Sequence, residues 1–217
     1  MSTYLCTKFS WSSPTCDTIN WLSHDWALNQ LSISQQTFTI KLIHKWLPIH
    51  LHHNKIKRHH PIKCPVCNTH IESPEHFLSC NDTKYQPLFK KFLWNITKYC
   101  NTWECPTNLV QLLLLGLQHW PQPPIIPSKF PKEYQQVIQE QQQIGWKQLC
   151  YGHFTITWTE RNKRKYQTQQ WWAMAHGSHW HIWTYLHQQW THCNNIANSN
   201  SSSTTPNKIT MQTEITT

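Results

Sequence analysis

Four residues constrain this chain more than the rest of its 217: Cys64, Cys67, His76 and Cys80, spaced C-x2-C-x8-H-x3-C. Three thiolates and an imidazole within seventeen residues are a zinc-ligand set, since zinc takes soft or borderline donors in a tetrahedron and a C-x2-C turn offers two from one tight loop. Ser73-Pro74-Glu75 reads as a helix start, with Ser73 as N-cap and Pro74 at the first helical position. His76 and Cys80 lie four apart on that helix and are expected to share one face. Four protein ligands leave no open position, so the expected Zn2+ is single and structural, not catalytic. His70 is a rival for the third ligand, but it lies in a stretch that reads as loop.

Charge points to a partner class. Nineteen Lys+Arg against ten Asp+Glu leave a net charge of +9. Such a balance favours RNA, DNA or another polyanion. Between Asp25 and Glu72 there is no acidic residue. That interval carries Lys41, Lys45, Lys55, Lys57, Arg58 and Lys63 among several histidines. An acid-free run leading into a metal loop can contact phosphates and displace counterions. A second basic cluster is Arg161, Lys163, Arg164 and Lys165. Either run can also be a solvated face. Trp46 is a candidate for stacking on bases, but its place on an apolar stripe reads first as core.

Other functions find little support. With four Gly in the chain there is no Gly-rich phosphate loop, and neither H-E-x-x-H nor G-x-S-x-G occurs. Glu75 precedes His76, and the Cys pair lies upstream of both, which is the wrong order for deaminase chemistry. Residues 1–18 lack the apolar core of a signal peptide, and the run from Leu109 to Leu117 is too short to span a bilayer. The expectation is therefore an intracellular protein without membrane contact, its remaining cysteines (Cys6, Cys16, Cys100, Cys105, Cys150, Cys193) free thiols.

The periodicity is that of a mostly α protein: a small helical domain stapled by one CCHC zinc site, then a helical extension and a disordered tail. Phe38, Leu42, Ile43, Trp46 and Leu47 form an apolar stripe stopped by Pro48. Leu88, Phe89, Phe92, Leu93, Ile96, Tyr99 and Cys100 mark a clear amphipathic helix, and a buried helix is expected over 108–119. The expected organisation is an unassigned segment 1–18, a zinc domain 19–120, a Pro-rich connector 121–132, a Trp-rich helical region 133–193 and a disordered tail 194–217. One long helix is expected over 132–166, although the alternation Phe154-Thr-Ile-Thr-Trp158 would suit a strand. Trp180, Trp183, Leu186 and Trp190 make a last helical stripe.

Taken in order, Ile19-Asn-Trp21, Lys41-Leu-Ile-His44-Lys-Trp46-Leu-Pro48, Cys64-Pro-Val-Cys67 and Glu75-His-Phe-Leu-Ser-Cys80 resemble the zinc-binding region downstream of reverse transcriptases in non-LTR retrotransposons. Ile144-Gly-Trp146-Lys-Gln148-Leu149, with Gly152 and Trp158, is similar to a further segment of such retroelement-derived proteins. The likeness spans roughly residues 19–192. It implies a small α-helical module on the C-terminal side of a polymerase that helps hold nucleic acid, with Cys64, Cys67, His76 and Cys80 as ligands and the polymerase domain as a further partner. The Tyr/Phe-x-Asp-Asp motif of those polymerases has no counterpart, and no two acidic residues are adjacent. No polymerase activity carries over. The alternative is a zinc-stabilised protein-interaction scaffold.

Overall fold

A computed structural model describes residues 2–57, 61–118, 124–160 and 173–202. The elements are helices: α1 (Ser2–Lys8), α2 (Ser13–Asp17), α3 (Trp21–Asn29), α4 (Ile33–Ile43), α5 (His50–Ile56), α6 (Pro74–Ser79), α7 (Gln86–Thr102), α8 (Thr107–Gln118), α9 (Lys132–Ile144), α10 (Thr157–Glu160) and α11 (Ser178–Ser202). Among the described residues there is no strand, only isolated antiparallel bridges joining Ile19 to Thr155 and Lys63 to Ile71.

Local chemistry explains most boundaries. Ser32 and Gln35 cap α4 reciprocally, each side chain accepting from the other's backbone N–H at 3.4 and 3.2 Å. α7 buries Phe92, Ile96 and Cys100, one residue per turn, with Phe89, Leu93 and Tyr99 flanking them as the sequence periodicity requires. α11 lies along α7 and also meets α3 and α4, so its Ile182, Trp183 and Leu186 join a core shared with Leu42, Ile96 and Leu113. Leu5 is in that core as well, and residues before 19 therefore belong to the fold. The same core contains Tyr134, Leu149 and Trp158, so the chain on either side of the Pro-rich run is packed into one interior. Of that run, residues 121–123 lie outside the described residues.

Three expectations require correction. The helix expected over 132–166 ends at Ile144, because Gly145 adopts φ 95° and turns the chain into a 3-10 segment, Trp146–Tyr151. Gly152 then continues at φ 76°, and Thr155 makes a single bridge to Ile19 before α10 begins. A buried network fixes this corner: Gln141 donates to the carbonyl of His153 at 3.2 Å and accepts from Trp158 Nε1 at 2.8 Å. Second, the region from Asn194 that reads as tail begins as helix, since α11 runs on to Ser202, anchored by the buried Cys193. Residues 203–217 lie outside the described residues. Third, Cys6 and Cys16 are not free thiols; they form a disulfide linking α1 to α2.

Candidate metal centre and nucleic-acid interface

The Cys64–Cys67 loop is a knuckle closed by backbone hydrogen bonds. Glu72 N–H donates to Ile62 O (2.9 Å), Cys64 N–H to His70 O (2.8 Å) and Asn68 N–H to Cys64 O (2.9 Å). Asn68 takes the left-handed conformation the turn needs, at φ 53°, which Asn tolerates better than most residues. The second half of the set follows from the helix start: Ser73 Oγ accepts from His76 N–H at 3.0 Å, with Pro74 in the first turn. α6 lasts only to Ser79, so His76 is helical whereas Cys80 is its C-cap residue, in extended backbone.

The ligand atoms of Cys64, Cys67, His76 and Cys80 all lie within 4.8 Å of one another, with Cys67 Sγ and His76 Nε2 at 3.4 Å. Donors on a tetrahedral ion held at 2.0–2.3 Å stand about 3.5–3.8 Å apart, so the four residues form a group able to hold a metal. His70 lies outside this set. Its Nδ1 is 4.0 Å from Cys67 Sγ and 2.8 Å from Thr69 Oγ1, and its ring stacks on His76 with centroids 5.1 Å apart.

Two residues that the spacing could not reveal complete the surroundings. Cys193 arrives from α11, is buried, and donates to Glu72 Oε1 at 3.1 Å. Glu72, itself buried, accepts from His50 N–H at 2.6 Å, which ties α5 to the knuckle. Hydrogen bonds from Cys193 and then Cys80 hold the Cys64 thiol well below the usual range, while Cys80 is pushed up by its bond to Cys64 and by burial. Burial raises Cys67, but hydrogen bonds from Thr69 and His70 outweigh it and bring that thiol down to about 6. Crowded sulfurs cannot all ionise unaided; a cation in their midst lets every thiolate form.

The basic residues divide unevenly. Lys41, Lys55, Lys57 and Lys63 are exposed. Lys45 is only half exposed, and its Nζ pairs with Glu75 Oε1 at 2.8 Å, linking the end of α4 to the helix that carries His76. Arg58, Arg161, Lys163, Arg164 and Lys165 lie outside the described residues. Folding adds two cations from distant sequence. Burial and then the charge of Lys45 lower the ammonium pKa of both Lys8 and Lys147. No charge run marks either residue in the sequence.

Trp46 also departs from expectation. Phe38, Leu42, Ile43 and Leu47 are buried, whereas Trp46 is 62% exposed. The helix ends in a Schellman turn: Lys45 N–H donates to Leu42 O (3.0 Å) and Trp46 N–H to Lys41 O (2.7 Å), with Lys45 at φ 54°. That left-handed residue rotates the next side chain out of the stripe.

Comparison with known proteins gives no match to a family model, to a curated protein or to a solved structure. Among the described residues no helix is long and apolar enough to cross a membrane.

Proposed function

We propose that this chain is a non-catalytic module, stapled by one structural zinc ion, that binds RNA or DNA. The observation that carries the reading is the Cys3His group set beside a basic surface, with Lys45 and Glu75 bridging the two. Three thiolates with one imidazole favour zinc over magnesium or calcium, which seek oxygen, and no position is left open for a substrate. The ion would pin the knuckle to α6, and through Glu75 it would fix the end of α4 where Lys41 and Lys45 lie. Exposed Lys41, Lys55, Lys57 and Lys63 would then meet phosphates on a surface whose shape depends on the metal. The order of motifs supports an origin as the downstream remnant of a retroelement reverse transcriptase, with that polymerase as a second partner.

An alternative is a zinc-stabilised docking scaffold for another protein, favoured by Leu22, Trp26 and Ile33 at 74%, 41% and 82% exposure. Salt separates the two readings. Wild-type protein should carry one zinc and lose it in Cys67→Ser. Its affinity for nucleic acid should fall steeply as salt rises, and the Lys55→Glu/Lys57→Glu variant should bind more weakly with a flatter salt slope. Binding that ignores both salt and the charge reversals refutes the nucleic-acid reading. A full zinc complement in Cys67→Ser refutes the centre.

A further inference from the structure

We propose that Trp46, His44 and Tyr4 form a platform on which the unpaired bases of a single-stranded nucleic acid stack, with Lys8 and Lys41 on its phosphates; this rests on the nucleic-acid reading above. The three rings form a short ladder on the surface. His44 and Trp46 are stacked, with centroids 4.7 Å apart and planes 25° from parallel. Tyr4 and His44 follow at 5.3 Å and 35°. Trp46 at 62% and Tyr4 at 52% exposure leave much aromatic surface in water, which a stable fold does not need.

The ladder is already ordered before any ligand arrives. The Schellman turn aims Trp46 outward, and it does so with a lysine in a left-handed conformation that costs roughly 1 kcal/mol in a non-glycine residue. The Lys45–Glu75 ion pair holds that lysine in place. Beside the rings, Lys8 Nζ lies 5.9 Å from the Tyr4 centroid, and exposed Lys41 belongs to the same helix end as Trp46, its carbonyl accepting from Trp46 N–H. The Glu75 carboxylate that reaches this helix end is neutralised by Lys45. A protein partner would find apolar surface here, but exposed rings with lysines close by match alternating bases and phosphates more closely. Within a duplex both faces of each base are already covered by neighbours. An open single strand leaves faces free to extend the ladder from Trp46.

The test measures fluorescence anisotropy of a labelled oligothymidylate, an oligouridylate and a duplex of equal length across a salt series. We expect either single strand to bind more tightly than the duplex. Trp46→Ala should lose about 5- to 160-fold in single-strand affinity, the range for one base–aromatic stack, while its salt slope stays unchanged because no phosphate contact is lost. Trp46→Phe should retain most of the affinity, and Tyr4→Ala, at the other end of the ladder, gives an independent second variant. Equal affinity for duplex and single strand, or no loss in Trp46→Ala, overturns the platform while salt-dependent binding keeps the broader reading. Absence of nucleic-acid binding by the wild type at any salt overturns both.

Discussion

Acid should unfold this protein through its buried histidines, and His24 allows the effect to be sized. His24 is buried in a cage of rings: it stacks on His153 (centroids 5.5 Å apart, planes 13° from parallel) and meets Trp21 and Trp183 edge-on. Its Nε2 has no hydrogen-bond partner among the described residues, so a proton there would sit uncompensated. Burial pulls the imidazole from 6.5 down to about 4, against smaller opposing effects of a Tyr151 backbone contact and Asp25. A folded-state value below the unfolded one means that the unfolded chain binds the proton first. The associated stability is fully present above the unfolded value and is lost as pH falls from about 6.5 towards 4. The full loss is on the order of 3 kcal/mol, more than half of it gone by pH 5. His153, also buried and held well below its ordinary value by burial and by His24 and His179, acts in the same direction. Urea unfolding followed by tryptophan fluorescence measures the effect. Between about pH 4.5 and 6, wild-type stability should fall more steeply than that of His24→Asn, by about 1.4 kcal/mol per pH unit, the slope for one proton. Both proteins keep the Cys64, Cys67, His76 and Cys80 group, so its protonation cancels in the difference. Equal slopes would refute the claim that His24 is neutral in the fold.

Two further perturbations probe the corner between α9 and α10. Gly152→Ala should lower the melting temperature more than Gly145→Ala: both glycines have positive φ, but a Cβ at 152 would overlap the Trp183 ring, whereas 145 faces open space. The difference should reach about 1–3 kcal/mol, and equal losses would show that the Trp183 packing is not rigid. Trp158→Phe removes the donor to Gln141 Oε1 and leaves that carbonyl buried without its partner, at a cost of about 1–3 kcal/mol beyond the lost volume. Gln141→Leu also removes the donor to the His153 carbonyl, so in denaturant unfolding the double variant should lose less than the sum of the two single losses; strictly additive losses would show that the hydrogen bond contributes nothing.

The Cys3His group was legible in the sequence because the elements that carry its four donors are local. A knuckle closed within eleven residues and a helix start signalled by Ser73-Pro74 bring the four donors together. Helices α4, α7 and α8 were legible for a similar reason, since periods such as Phe92, Ile96 and Cys100 encode a buried face directly. The corner after α9 was misread because the Gln-rich pattern up to Ile144 continues into residues of acceptable helix propensity, and one glycine at φ 95° decides the break. The apparent tail was misread because Asn and Ser predominate after 194, while Cys193 and Ile196 gain their stability from packing beside the knuckle.

Composition and spacing by themselves determined a helical, basic chain with one CCHC ligand set. Tertiary structure decided which charges act together and which rings face water. Lys8, Lys45, Glu75 and Lys147 are scattered along the chain, and Coulomb interactions depend on separation in space, not in sequence. Trp46 occupies a core position by periodicity, yet a turn one residue earlier sends it into solvent. Periodicity counts residues along an unbroken helix, and only the folded chain shows where that helix stops.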